Sequence, residues 1–456
     1  MLLSVLCSVL VLFGASTTRT TATPIKSIVP LEPLSPGGSV SVAAIAFFPP
    51  NIIFVGVNGE ACLVLLCEPD VDNSLLVNCT QQTNLTVFPP ESSNTTTTGT
   101  FGYALATSES LLFVSAPNLH ATSVFVYDCG ALPSGPCVHY AQTNRPPTTA
   151  LHYGVNLGAG PLGVLAVTNL RITWDEHAIG YVYFCVPPGL TVGETGCQER
   201  FAMVPSLPIG PSSAYTTVRN GAATVVYPYV LVSFGTNILV WNMLVPSKCA
   251  SVFNSSLVCT QDAVLTVPSA PNQALTTTQA AFFTPILAVS SGSDVFLYKL
   301  DANSNVLGSF NWRIDPTLVV NADRFNGTSY VYSLAITSAE GAIADDYFLL
   351  AVGVQHLETY YDPYYVTKQL NTLYLYVCAP DLSGCNYDSS VELTPTFQEN
   401  NAGSESGQQI SLATQASGEP FAFTTATFYQ ADGSMNSVLV TVVDQDINDL
   451  LSQPFE

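Results

Sequence analysis

Short apolar runs separated by polar turns fill most of the chain, and the stretch from Phe101 to Pro117 shows the pattern most clearly. Its sequence, FGYALATSESLLFVSAP, has two apolar runs on either side of Ser-Glu-Ser, and the alternating run SVFVYDC follows shortly after it. Alternation with a period of two predicts half-buried β-strands. Four strands are predicted here, at residues 101–107, 111–115, 123–129 and 137–143.

Ten of the twelve cysteines fall into five close pairs, each placed after such an apolar run. The residues between the two cysteines are rich in turn formers, and a further extended run follows the second cysteine, which is the pattern of a β-hairpin with a disulfide at its tip. Zinc sites use spacings of about two to four residues, so these longer and variable spacings favour disulfides. The predicted pairs are Cys67/Cys79, Cys129/Cys137, Cys185/Cys197, Cys249/Cys259 and Cys378/Cys385.

The pairs recur along the chain with a regular period. The first cysteines of the first four pairs follow one another at intervals of 62, 56 and 64 residues, and the next one, Cys378, comes 129 residues later. One unit without cysteines is therefore predicted in between, where DVFLYKLDANSNVLGSFNWRI has the same strand–turn–strand pattern. A last unit ends with SVLVTVV at Val443. The chain thus predicts seven copies, and Cys62 is left over, either as a buried thiol or as a competitor for Cys67.

Tandem four-stranded units with apolar faces that they cannot bury alone predict an all-β fold, a seven-bladed β-propeller with four-stranded antiparallel blades and hairpin disulfides. The propeller is assigned to residues 39–456, and residues 17–38 form an N-terminal segment. Acidic residues interrupt the 13 residues after Val443, so residues 24–34 are predicted to supply the outer strand of the seventh blade instead. Their prolines are tolerated because an outermost strand is an edge.

The FGYALATSESLLFVSAP stretch resembles the FG-GAP repeat of integrin α-subunit propellers. Phe101-Gly102 stands where that repeat opens its inner strand, and Ser115-Ala116-Pro117 stands where Gly-Ala-Pro would. Degenerate versions occur in the third to sixth copies, as HYGVNL and VLAVTN, YVLVSFGTN, PILAVSSGS and YFLLAVGVQ. The resemblance implies a propeller that binds ligands or mediates adhesion. Calcium loops of that family are missing, and DANSN at residues 301–305 is interpreted as a polar turn, so no metal and no cofactor is predicted.

Composition limits the partners and the compartment. Eleven Lys and Arg face 33 Asp and Glu, a formal net charge of −22, which repels phosphate backbones, so no nucleic-acid partner is predicted. Residues 1–16 are interpreted as a signal peptide, because the apolar run is shorter than the roughly 20 residues that span a bilayer. No membrane insertion is predicted, and the protein is expected to be secreted. N-glycosylation sequons begin at Asn78, Asn84, Asn94, Asn254 and Asn326.

The search for chemistry finds no catalytic signature, so no catalytic residue is assigned. His120, His177 and His356 all fall between the second and third strands of their units. The longest such segment, GVQHLETYYDPYYVTKQLNT in the sixth unit, is interpreted as a loop with four tyrosines around Asp362-Pro363. Exposed tyrosines favour recognition of proteins or sugars, although packing of the tyrosines on a neighbouring blade is the alternative.

The predicted function is a secreted or cell-surface binding or adhesion propeller that recognises a protein or glycan ligand. The second-to-third-strand loops are expected to share one face, on which the partner site is formed by Tyr360, Tyr361, Tyr364 and Tyr365 together with Trp174, Asp175, Glu176 and His177. The alternative is an extracellular glycan-active hydrolase or lyase that uses carboxylates and a histidine in the central channel.

Overall fold

The computed structural model describes the chain in segments, and every structural statement below concerns these residues: 25–34, 40, 42–57, 59–69, 77–90, 100–117, 123–144, 153–169, 171–172, 178–186, 196–206, 216–217, 222–234, 237–243, 249–253, 256–266, 275–277, 286–291, 294–299, 301–302, 312–313, 316–321, 328–338, 348–362, 364–379, 382–392, 405–414, 420–429 and 435–443.

The regular structure of these segments is almost entirely β. The strands of the first half are β1 (Ile25–Pro30), β2 (Val42–Phe48), β3 (Ile52–Val57), β4 (Ala61–Pro69), β5 (Val77–Gln81), β6 (Leu105–Ser108), β7 (Leu111–Ala116), β8 (Ser123–Asp128), β9 (Val138–Asn144), β10 (Tyr153–Gly160), β11 (Val164–Asn169), β12 (Arg171–Ile172), β13 (Gly180–Val186), β14 (Gly196–Val204), β15 (Thr216–Thr217), β16 (Ala223–Val226) and β17 (Tyr229–Phe234). Short 3₁₀ turns occur at Thr83–Leu85 and Pro161–Gly163.

The strands of the second half continue the same pattern. They are β18 (Asn237–Asn242), β19 (Cys249–Phe253), β20 (Ser256–Thr260), β21 (Ala263–Thr266), β22 (Leu275–Thr277), β23 (Ile286–Ser291), β24 (Asp294–Lys299), β25 (Asp301–Ala302), β26 (Trp312–Arg313), β27 (Pro316–Asn321), β28 (Thr328–Ser338), β29 (Phe348–Asp362), β30 (Tyr364–Cys378), β31 (Cys385–Glu392), β32 (Glu405–Thr414), β33 (Pro420–Tyr429) and β34 (Met435–Val443).

These strands form seven larger antiparallel sheets, which we number along the chain. Sheet 1 is β2-β3-β4-β5, sheet 2 is β6-β7-β8-β9, sheet 3 begins β10-β11-β13-β14, sheet 4 is β16-β17-β18-β21, sheet 5 is β22-β23-β24-β27, sheet 6 is β28-β29-β30-β31, and sheet 7 is β32-β33-β34-β1. Two minor ladders, β12-β15 and β25-β26, lie outside them. The described chain is therefore an all-β propeller of four-stranded antiparallel sheets, as the repeat pattern predicts.

The inner strands of the sheets meet around a common axis. β2, β6, β10, β16, β22, β28 and β32 contact one another in that order, and β32 contacts β2 in turn. The buried apolar side chains form six clusters, each shared by two neighbouring sheets: one between sheets 1 and 2, for example, contains Phe54, Phe101 and Phe125. The core is therefore a series of sheet-to-sheet interfaces, which is how a propeller lets one fold grow beyond a single core.

The Phe-Gly pair at residues 101–102 forms a turn and not the start of the inner strand, which corrects the sequence-based boundary. Gly102 has φ of +84°, a conformation that favours glycine, and its N–H donates to the Ser115 carbonyl at 3.1 Å. A Cβ added at Gly56 in sheet 1 would lie 2.1 Å from the Gly102 oxygen. The pair thus lets two sheets approach closely while Phe101 is buried between them.

A second aromatic–glycine pair, Tyr153-Gly154, packs in a similar way, although it lies inside its inner strand, at the start of β10. Gly154 has φ of +86°, and the Tyr153 side chain is fully buried in the cluster between sheets 2 and 3. The Tyr153 hydroxyl lies 3.0 Å from the Thr143 hydroxyl of β9. The degenerate HYGVNL copy therefore keeps the packing role of the better-preserved one.

The N-terminal segment completes the outer edge of sheet 7. β1 pairs antiparallel with β34, from Ile25 opposite Val443 to Pro30 opposite Val438. The chain then crosses to sheet 1, where the Glu32 N–H donates to the Gln81 side-chain oxygen at 2.9 Å and the Gln81 amide nitrogen donates to the Glu32 carbonyl at 3.2 Å. We call β1 the closing strand.

All five predicted cysteine pairs are disulfide-bonded, but two of them do not lie at the tip of their hairpin as the sequence predicts. Cys79 lies inside β5 and Cys197 lies inside β14, and the ladder continues past Cys79 by two register pairs and past Cys197 by one. Each is directly opposite its partner, with a Cα–Cα distance of 4.0 Å, so a disulfide can form within a ladder. The five disulfides are Cys67–Cys79, Cys129–Cys137, Cys185–Cys197, Cys249–Cys259 and Cys378–Cys385.

The position of Cys137 relative to its strand is a further correction. The sequence makes Cys137 the first residue of the fourth strand of sheet 2, whereas β9 begins at Val138 and β8 ends at Asp128. The Cys129–Cys137 disulfide therefore follows the last register pair of the hairpin, at its tip. A tight turn explains this boundary, because the Leu132 N–H donates to the Cys129 carbonyl at 3.0 Å.

The fourth disulfide does not staple the hairpin expected of it. Cys249–Cys259 joins β19 to β20, a hairpin inserted between the third and fourth strands of sheet 4. β20 does not belong to sheet 4. It pairs parallel with β14, the fourth strand of sheet 3. Sheet 3 therefore has six strands, and we call the β19–β20 hairpin the strap.

Sheet 5 also differs from the sequence-based assignment. Its fourth strand is β27, PTLVVN, and not the VLGSFNWRI run, of which Trp312–Arg313 pairs with Asp301–Ala302 in a minor ladder. Asp301 and Ala302, the first residues of the predicted polar turn, thus lie in that ladder, and residues 303–305 lie outside the described segments. The apolar run Leu318 to Val320, which contains two β-branched valines, explains the choice, since it suits a pleated surface better.

Candidate functional site: a tyrosine-bearing β-ribbon on sheet 6

The segment with four tyrosines is a β-hairpin, which corrects its interpretation as a loop. β29 and β30 pair without interruption from Phe348 opposite Cys378 to Asp362 opposite Tyr364. His356, expected in a loop, lies within β29 opposite Leu370. Tyrosine, valine and threonine favour extended backbone, and the uninterrupted register shows that this preference outweighs the polar residues between them.

The tip of this hairpin extends past both neighbouring strands. β28 pairs with β29 only as far as Leu357, and β31 pairs with β30 only from Thr372 onwards. Among the described residues, the five register pairs from Glu358 opposite Lys368 to the tip pair only with each other, and at about 3.3 Å per residue they extend roughly 16 Å. We call residues 358–368 the ribbon.

All four predicted tyrosines occupy the ribbon. Tyr361 lies directly opposite Tyr365, Tyr360 lies opposite Val366, and Tyr364 lies opposite Asp362 beside the tip. The structure therefore brings these four positions together within the last three register pairs. The other predicted group, Trp174, Asp175, Glu176 and His177, lies outside the described residues, as does His120.

The two predicted halves of the site belong to sheets that are not neighbours. Residues 174–177 follow β12, which pairs with β15, in the second-to-third-strand connection of sheet 3. Sheets 3 and 6 are separated by sheets 4 and 5 along the order of inner strands.

The opposite end of the sheets uses its polar groups for packing. The Ser108 hydroxyl donates to the Gly160 carbonyl at 2.5 Å and accepts from the Gly163 N–H at 3.2 Å. The Glu109 carboxylate accepts from the Leu162 N–H at 3.0 Å. These contacts join the first-to-second-strand turns of sheets 2 and 3, so the polar groups there serve the scaffold.

One histidine environment was missed by the sequence analysis. His139 lies on β9 at the outer rim, and its ring centroid is 5.5 Å from that of Tyr127 and 6.1 Å from that of Phe125. Partial burial lowers the pKa of His139, and a hydrogen bond with the Ala141 backbone opposes that shift. The cross-strand register of Tyr127 and His139 is the signal that would have indicated it.

Two of the five predicted glycosylation sites lie among the described residues. Asn78 and Asn84 are exposed at the rim of sheet 1, whereas Asn94, Asn254 and Asn326 lie outside the described residues. Cys62 is a free, fully buried thiol whose pKa is raised by burial. Among the described residues, no group of three His, Cys, Asp or Glu side chains is arranged to hold a metal ion. No described helix is long and apolar enough to cross a membrane.

The sheet order and the ring of inner strands define the class of the molecule as a β-propeller with disulfide-stapled sheets. No protein-family model matches the chain, and no curated protein matches it either, so the FG-GAP resemblance stays a prediction. Among solved structures, the WD40 β-propeller domain of Doa1 aligns over 93% of this chain and 99% of that one, with 8% sequence identity and a TM-score of 0.29.

Proposed function

We propose that this protein is a secreted, glycosylated, seven-bladed propeller of the FG-GAP type that binds a protein or glycan partner through the ribbon of sheet 6. The observation that carries the proposal is the extension of the ribbon beyond its own sheet. Neither β28 nor β31 pairs with it among the described residues, so the ladder of sheet 6 does not account for its four tyrosines. Tyrosine provides contact area at low entropic cost together with a hydroxyl group, which suits recognition.

Two further observations support a secreted binding protein. Five disulfides indicate an oxidising compartment, and the exposed Asn78 and Asn84 of two sequons can carry glycans. The net charge of −22 favours a basic protein surface or a neutral sugar over a nucleic acid. Trp174, Asp175, Glu176 and His177 are proposed as a second contact group on the same face.

The test is binding of the fluorescently labelled mature protein to a panel of cells and to a glycan array. Replacing Tyr360, Tyr361, Tyr364 and Tyr365 together by alanine is expected to reduce binding at least about tenfold, as loss of interface hot spots does. The matched control replaces Phe88 and Tyr103, two exposed aromatic residues outside the ribbon, and is expected to bind normally. A third variant replaces Asp175, Glu176 and His177 by alanine and is expected to weaken binding less.

Pretreating the cells separates the two partner classes. Loss of binding after trypsin indicates a protein partner, and loss after glycosidases, with a matching signal on the array, indicates a glycan. If the folded tyrosine variant binds as well as the parent, the ribbon is not the site and the proposal is wrong.

A further inference from the structure

The outer edge of β30 is open along the ribbon and slightly beyond it. Within the described part of the chain, residues 364–371 pair with β29 on one side, and β31 joins on the other side only at Thr372. Eight consecutive residues therefore have a ladder partner on one side alone among the residues that the structure describes. Alternate residues of an antiparallel strand direct their N–H and C=O groups away from the paired neighbour, so this edge can accept another strand.

Two other sheets add chain from elsewhere at their outer edges. Sheet 7 has β1 on its outer side, and sheet 3 has the strap on its outer side. Long uncovered edges are hazards that proteins usually cover, shorten or charge. An eight-residue edge on a projecting ribbon is therefore more than the architecture of sheet 6 requires.

We infer that residues 364–371 bind an extended, positively charged segment of the partner protein as an added β-strand. This inference rests on the proposed function, because it names how the ribbon would hold its partner and which of the two proposed partner classes it takes. Main-chain hydrogen bonds would supply affinity in this mode, and side chains of alternate residues would supply specificity.

Charge decides which strand is accepted. A second copy of this chain would bring another net charge of −22 to the same edge, and like charges disfavour that pairing. The ribbon itself carries Glu358, Asp362 and Lys368, so its own net charge is negative as well. A basic strand is attracted by the ribbon and by the rest of the acidic surface. At physiological ionic strength this attraction acts over a screening length of about 8 Å.

The experiment uses the full mature chain and synthetic peptides of defined charge and shape. The probe alternates lysine and valine, KVKVKVK, and the shape control KVKPKVK keeps its charge but cannot complete a ladder, because proline lacks an N–H. Binding is measured by fluorescence anisotropy, and the site by hydrogen exchange of the protein amides. We expect the probe to bind at least about tenfold more tightly than the proline peptide and to protect residues 364–371 from exchange.

A shortened variant provides the matched protein control. Leu357 and Gln369 are register partners, so replacing residues 358–368 by Asn-Gly closes the hairpin with a two-residue turn. The replacement removes two acids and one lysine, which changes the formal charge only from −22 to −21. Loss of probe binding in this variant can therefore not be assigned to overall charge.

The outcomes separate the inference from the proposed function. Equal binding of the two basic peptides, or protection outside residues 364–371, overturns the inference even if the tyrosine variant loses cell binding. Binding of the acidic peptide EVEVEVE as tight as that of the probe, or self-association of the parent through the ribbon, also overturns it. If the tyrosine variant keeps cell binding, the proposed function fails whatever the peptides show.

Discussion

Two outer edges of this propeller are completed by chain that does not belong to them in sequence, and they are completed differently. The closing strand β1 pairs by itself with β34 of sheet 7, whereas β20 pairs with β14 of sheet 3 as part of a hairpin that is closed by its own disulfide. A glutamine amide lies near each junction: Gln81 of sheet 1 contacts Glu32, which follows β1, and Gln261, which follows β20, contacts Ser206, which follows β14.

The two glutamine contacts differ in burial. Gln261 is 4% exposed, and it accepts from the Ser206 N–H at 2.8 Å while its amide donates to the Ser206 hydroxyl at 2.5 Å. Gln81 is only half-buried. Sheet 7 is thus completed by a single strand with a half-buried glutamine contact, whereas sheet 3 is completed by a hairpin with a buried glutamine side chain and a disulfide that joins the two strands of the hairpin to each other.

Removing the closing strand should have the largest effect. Deleting residues 24–34 exposes β34 and removes Leu31 and Val29 from the cluster between sheets 7 and 1, which should lower the free energy of unfolding by about 3 kcal/mol or more. Thermal and denaturant unfolding measure the loss. Deleting residues 17–23, which leaves β1 intact, is the control. Unchanged stability of the longer deletion would show that β1 does not hold the ring.

Removing the staple of the strap should have the next largest effect. Replacing Cys249 and Cys259 together by serine frees a loop closed over a sequence separation of 10, worth about 2–3 kcal/mol. Hydrogen exchange should increase in β19 and β20. The same replacement at Cys378 and Cys385 in sheet 6 should lower stability without affecting the strap. Equal exchange of the strap in both variants would contradict its dependence on its own disulfide.

Loss of the Gln261–Ser206 contact should lower the free energy of unfolding more than loss of the Gln81–Glu32 contact. Gln261→Ala removes a buried side chain and its two hydrogen bonds to the exposed Ser206, at a net cost of about 1–2 kcal/mol. Denaturant unfolding monitored by fluorescence gives the value. If Gln261→Ala lowers the free energy of unfolding less than Gln81→Ala does, burial does not set the strength of these two contacts.

Loss of the Gln81–Glu32 contact should lower the free energy of unfolding least. Gln81→Ala loses two hydrogen bonds that water can replace, so we expect about 0.5–1 kcal/mol and faster amide exchange in β1. Gln82→Ala is the matched control, because within the described segments the hydrogen bonds of the Gln82 side chain go to Thr80 and not to the chain after β1. Equal exchange of β1 in the two variants would remove Gln81 from the junction.

The sequence predicted what depends on local pattern and missed what depends on distant pairing. Strands β7 and β8 fall within a residue of the predicted limits, because apolar alternation and Cys129 mark them. The spacing of Cys249 and Cys259 resembles that of the other four pairs, and no residue near them in the sequence indicates that β20 pairs with a strand of another sheet. The four tyrosines were singled out for their chemistry, but Pro363 and the acids around it favoured a loop over the ribbon, whose register is set by both strands together.

The second cysteines of the first three pairs show the same limit on a smaller scale. Spacing identified the bonding partners of Cys79, Cys137 and Cys197. Spacing did not show that the strands extend past Cys79 and Cys197 or that β9 begins only after Cys137. The strand limits depend on how far two strands keep pairing, which a cysteine spacing does not contain.

The closing strand also sets an order of events during synthesis. Between Pro30 and Met435 lie 404 residues, so at about 5–20 residues per second the ribosome needs roughly 20–80 s to make the partner of a strand it has already released. Throughout that interval β1 has no ladder to join, and sheets 1 to 6 must assemble as an open arc. Synthesis of β34 is thus what lets β1 join a sheet, and chaperones would meet this protein mainly as an unclosed ring.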